Sequence, residues 1–132
     1  MRSPVLAFCL TLSAVPPAFA LDCADETQIV QDQCADASYQ KADAALNRSY
    51  KEILRRLKGD SATTKLLIDA QKAWIAYRDA ECAFSSSANK GGTIYPMVFS
   101  ICLEGVTKDR TAKLDAYLKC GDGDTGCPVP AP

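Results

Sequence analysis

Seven cysteines and no histidine set the chemistry open to this 132-residue chain. Six of them, Cys23, Cys34, Cys82, Cys102, Cys120 and Cys127, follow an apolar leader, and an even set is what oxidative folding outside the cytosol uses. Once those thiols pair, none is left as a nucleophile or a zinc ligand, and the commonest general base is missing. Carboxylates remain. Asp79 and Glu81 are close in sequence, but two residues apart on a helix they point about 200° from each other and cannot flank one bond. The inventory points away from an enzyme: no catalytic residue, metal site or cofactor is expected.

Three charges instead fall on core-facing helical positions. At about 100° per residue, Gln71, Trp74, Arg78 and Cys82 share one narrow stripe. Asp43 lies between Tyr39, Leu46 and Tyr50 with Asn47 at the edge, and Arg110 aligns with Leu103, Val106, Leu114 and Tyr117. An isolated buried charge costs several kcal/mol, roughly, so these groups should meet. Asp43 is expected to accept hydrogen bonds from Arg78 or Arg110, whose planar forks suit a carboxylate, with Gln71 and Asn47 completing the network. Such a cluster reads first as a structural knot setting helix register, and second as a polar pocket.

The elements that position these groups are helical. Met1–Ala20 has one basic residue, the apolar run Val5–Val15, and Ala18-Phe19-Ala20 as a small-x-small cleavage site, so it reads as a signal peptide that removes Cys9. Lipidation of Cys23 fits poorly because Asp22 precedes it, and the apolar run is short of the roughly 20 residues of a membrane span. Arg2 is the only charged residue of the leader. The chain beyond it therefore keeps all 16 acidic residues and one basic residue fewer than the full 15, a net charge of −2. Basic and acidic residues interleave, which leaves no nucleic-acid footprint.

Leu21–Lys119 reads as one all-α domain of about four helices, with apolar residues returning every three or four positions and no alternation typical of strands. The first helix is expected over Thr27–Ala35 with Thr27 as N-cap, and the second over Ala37–Lys58, stopped at Gly59-Asp60. The third spans Ser61–Ser85, capped by Ser61, with Leu67, Ala70, Trp74, Tyr77 and Phe84 toward the core. Ser85–Thr93 has loop composition. The fourth runs over Pro96–Lys119 with a break near Gly105, where Thr107 can cap a fresh turn. Cys120–Pro132, rich in Pro and Gly, reads as a flexible tail tethered at Cys127.

The same residues form an ordered pattern: Cys34-Ala35, Ala42-Asp43-x-x-Leu46-Asn47-x-x-Tyr50, Ala70-Gln71-x-x-Trp74, Tyr77-Arg78-Asp79-x-x-Cys82, Gly91-Gly92-Thr93-Ile94, Cys102-Leu103 and Thr107-x-x-Arg110. It resembles the LprI-type lysozyme-inhibitor family, formerly DUF1311, over about Cys23–Leu118. The resemblance implies a small exported, disulfide-stapled helical domain of bacterial type, with a family name taken from inhibition of animal-type lysozyme. It implies no catalytic residue set.

Six cysteines allow fifteen pairings. Sequence order suggests Cys23–Cys34, Cys82–Cys102 and Cys120–Cys127. The inhibitor reading needs a rigid loop able to enter a cleft with two carboxylates, and Ser85–Tyr95 offers Asn89, Lys90, Thr93 and Tyr95 beside the Cys82–Cys102 pair. A plain interhelical turn is the alternative for that loop. The expected partner is lysozyme or another envelope protein, and the expected compartment is periplasmic or secreted. The competing function is an envelope-maintenance or protein-interaction module with no lysozyme target.

Overall fold

The computed structural model describes residues 21–121 and 123–132. The leader, Met1–Ala20, lies outside the described residues. Three α-helices follow in order, α1 over Gln28–Arg56, α2 over Ser61–Ser85 and α3 over Tyr95–Leu118, with a single 3-10 turn at Ser87–Asn89 and no strand among the described residues.

The two expected N-terminal helices are one. No glycine or proline interrupts Gln28–Arg56, and Ala35, Ala42, Leu46 and Ile53 continue a single buried stripe through the expected junction at Asp36. Thr27 occupies the N-cap position without a side-chain capping bond. Gly59 ends the turn after α1 with φ +102°, an angle that disfavours a side chain. The cap of α2 sits one residue earlier than expected: the Thr63 amide donates to the Asp60 carboxylate at 3.0 Å, and Ser61 is the first helical residue.

The expected break in the last helix is absent. Gly105 lies on an exposed face, while Leu103, Thr107 and Leu114 bury the opposite one against α1, so packing carries the helix past the weak position. Thr107 is a core residue rather than a cap, fully buried with its hydroxyl unpartnered.

The helices run up, down and up. α1 and α3 are parallel and pack along most of their length, tied by the Ser49 hydroxyl donating to Asp115 and by Arg56 donating to the Leu118 carbonyl at 3.0 Å. α2 returns antiparallel and touches the pair sparsely; only Gln71 and Cys82 of its residues are buried. The core is Leu46, Ile53, Leu57, Leu114 and Val129, flanked by Tyr50, Leu67, Trp74, Tyr117 and Leu118. Val129 comes from the segment after α3. That segment has no regular secondary structure, yet the chain turns back after Cys127 and seats this side chain at 5% exposure among residues of α1 and α3.

Three disulfides join Cys23 to Cys34, Cys82 to Cys102 and Cys120 to Cys127, with Cα separations of 5.9, 5.5 and 5.7 Å. They bolt the N-terminal peptide to α1, the end of α2 to α3, and the tail to the end of α3.

Candidate functional site

Two groups of residues singled out above carry polar chemistry, and they lie in different parts of the molecule. The first is the charged cluster where the three helices meet. Arg78 of α2 is its hub: its guanidinium lies 5.2 Å from the Trp74 ring centre and 5.7 Å from that of Tyr39, and its side chain is 11% exposed. Its Nε donates to Asp79 at 2.8 Å. Asp43 of α1 stands 3.7 Å from Arg78 Nη1, an ion pair without a hydrogen bond, and accepts instead from the Asn47 amide at 2.8 Å.

Arg110 does not reach Asp43. Its Nε donates to Gln71 at 3.1 Å, joining α3 to α2, and its guanidinium lies 6.0 Å from the same Trp74 ring. The expected fork between one carboxylate and an arginine is thus replaced by two arginines near one tryptophan ring. Asp43 keeps one-third of its side chain in solvent and Asn47 is exposed. The geometry has a simple cause. α2 stands away from α1, and a short aspartate cannot close that gap. Burial raises the Tyr39 phenol above its ordinary value, with the nearby arginine opposing the shift.

This cluster holds helices together. Arg78 and Arg110 spend their contacts on protein groups, and α2 has almost no other buried anchor besides Cys82. Among the described residues no three metal-ligating side chains converge.

The second group is the segment between α2 and α3. Ser86 is fully buried and its hydroxyl donates to the Cys82 carbonyl at 2.6 Å, anchoring the start. Successive turns follow: amides of Asn89, Lys90, Gly92 and Tyr95 donate to carbonyls of Ser86, Ser87, Asn89 and Gly92 at 2.9–3.2 Å. Gly91 supplies φ +84°, and a side chain at Gly92 would meet the Asn89 carbonyl at 3.2 Å. The Cys82–Cys102 bridge closes the base.

The four residues expected to bind are not equivalent in this frame. Lys90 and Thr93 are exposed, Asn89 is half-buried, and Tyr95 begins α3 with its ring stacked on Phe99 at 5.7 Å. Lys90 is therefore the one exposed cation of a tightly turned loop.

Residues 22–114 match the family described as "Lysozyme inhibitor LprI". The chain belongs to the LprI family. A curated relative, an uncharacterized protein of Rhizobium meliloti (strain 1021), is 33% identical over 138 aligned positions, covering 92% of this chain and 99% of its own length. A crystal structure of a DUF1311 family protein from Pseudomonas putida KT2440 superimposes with a TM-score of 0.63 at 27% identity, covering 69% of this chain and 93% of that one. The family region ends before the segment that supplies Val129. Among the described residues, no helix of this LprI-family chain is long and apolar enough to cross a membrane.

Proposed function

We propose that this LprI-family protein is an exported, non-catalytic inhibitor that occupies the cleft of an animal-type lysozyme with its Ser86–Ile94 loop. Met1–Ala20 serves as the export signal, Leu21–Lys119 forms the inhibitory domain, and the three disulfides form in the periplasm or outside the cell. The observation that carries the reading is the loop itself: turned on its own amides, bridged at its base and presenting Lys90. A segment already fixed before binding loses little entropy on docking. A single exposed ammonium suits a cleft whose working groups are two carboxylates.

Asn89, Thr93 and Tyr95 have distinct parts in this reading. Thr93 adds an exposed hydroxyl near Lys90, whereas Asn89 contributes through its backbone turns and Tyr95 through its stack on Phe99. Turnover of cell walls by a c-type lysozyme, measured with rising amounts of the purified oxidised protein, should fall at near-stoichiometric dose. Lys90→Ala should raise the inhibition constant by about tenfold, about 1.4 kcal/mol. Absence of inhibition at large excess removes the lysozyme reading, and unchanged potency of Lys90→Ala removes the loop.

A further inference from the structure

The end of the bundle nearest Gly59 holds a cavity of about 230 Å³ between all three helices. Ile53 and Leu57 of α1, Leu66 and Leu67 of α2 and Tyr117 of α3 form its walls, and Val129 closes it from the segment after Cys127. Thr63 and Ala70 lie two turns apart on α2, as do Tyr117 and Arg110 on α3, and the Gln71–Arg110 bond sets Ala70 and Arg110 at one level. The cavity is therefore a slot about 10 Å long. Besides the hydroxyls of Thr63 and Tyr117, its lining has one polar side chain. That is Arg110, the single charged residue of the slot, and it stands at the end away from Val129.

Arg110 also keeps most of its bonding capacity. Its Nε donates to Gln71, but among the described residues its two terminal nitrogens donate to no protein group and no carboxylate pairs with it. Arg78, by contrast, has both Asp79 and Asp43. No acidic side chain lines the slot, and the Lys113 ammonium, 4.9 Å from the Tyr117 ring centre, adds a second positive charge on the same helix. We infer that the slot binds a medium-chain fatty acid, its tail along Leu66, Leu67 and Tyr117 and its carboxylate on the open fork of Arg110. A planar guanidinium suits that head, and the bond to Gln71 already fixes its orientation.

The tail length follows from the space. An apolar cavity of about 150 Å³ takes up benzene, so this larger one has room for a chain. At about 1.3 Å per carbon, a slot of about 10 Å accepts about six to eight carbons. A neutral ligand would strip water from the guanidinium without replacing it, and a cation would be repelled. The slot lies about 24 Å along α2 from Ser86, so it does not depend on what the Ser86–Ile94 loop binds.

Titration of the oxidised protein with hexanoate, followed by amide chemical shifts, should saturate with Kd about 0.3–3 mM and move the resonances of Leu67, Arg110, Tyr117 and Val129. Octanoate, longer by two methylenes, should bind about tenfold more tightly. 1-Hexanol should bind about tenfold more weakly than hexanoate, and hexylammonium should not bind over the same range. Arg110→Gln should weaken hexanoate about tenfold and leave 1-hexanol within about twofold, whereas loss of a merely structural arginine would change both alike. Ala70→Phe, at an exposed position of α2, should fill the slot and abolish binding with helical circular dichroism retained, and it decides the matter should Arg110→Gln fail to fold. No saturable shift below about 30 mM, hexanoate and 1-hexanol binding equally, shifts confined to other residues, or binding indifferent to Ala70→Phe would each overturn the site.

Discussion

Val129→Asp tests whether the segment beyond Cys127 is part of the core. The side chain is 5% exposed and packs with Leu46, Ile53, Leu57 and Leu114. Removing its two methyl groups in Val129→Ala should cost about 1.6 kcal/mol, at about 0.8 kcal/mol per buried carbon. An aspartate cannot stay among those groups, yet its cost is bounded. The segment can leave the core without unfolding the helices, so the loss saturates at the free energy of docking one valine, about 1.5–3 kcal/mol. Leu114→Ala has no such escape, being fixed within α3, and should cost about 2–5 kcal/mol. Urea melts with unchanged slope read these values directly, and each kcal/mol should lower Tm by about 4–8 °C. If Val129→Asp stays within about 0.3 kcal/mol of the parent, the segment is not docked. If it costs more than Leu114→Ala, local release is the wrong account.

Asp43→Ala should cost only about 0.5–1.5 kcal/mol in the same melts, because Asp43 is one-third exposed and Arg78 keeps Asp79; Arg78→Ala, which strips contacts to Trp74 and Tyr39, should cost about 2–4 kcal/mol. Replacing Cys82 and Cys102 together by serine should cost about 3 kcal/mol in the chain-entropy account, seen as a shifted denaturation midpoint, and should loosen the loop that they close. Hydrogen bonds from Arg55 and Arg56 hold the Glu52 carboxyl at about 2, below its ordinary 4.5. A depressed carboxyl stabilises above the unfolded value and loses that contribution as pH falls toward the folded one. Stability should therefore decline between about pH 4.5 and 2, and Glu52→Gln should flatten that part of the curve in pH-dependent melts.

The helical class, the stop at Gly59, the start of the last helix within one residue of the expected Pro96, and the inward stripe Gln71, Trp74, Arg78 and Cys82 were legible because each rests on local periodicity or backbone preference. The rotation of α2 was not. Ala70, Tyr77 and Phe84 were expected in the core for being apolar, but they face solvent. α2 carries apolar residues on more than one side, and its facing is set by long-range partners, the bridge to Cys102 and the bond to Arg110. The union of the first two helices was hidden by a polar stretch at Asp36 that resembles a boundary while containing no helix breaker.

Val129 had no signal at all, since one valine between prolines has no period to detect. In the candidate loop, residue types pointed to Lys90, but only the folded structure separates it from Asn89 and Tyr95, which are half-buried.

The three disulfides each close a short stretch, and none spans the turn at Gly59. A protease that cuts there therefore leaves two polypeptides with no covalent link, one holding α1 and the other α2 and α3, joined only by the packing of α1 on α3. A cut between Ser86 and Ile94 leaves both ends joined through Cys82 and Cys102. A nick in the loop by a digestive enzyme leaves one covalent molecule, while a single cleavage at the opposite pole leaves the two pieces dependent on their shared core alone.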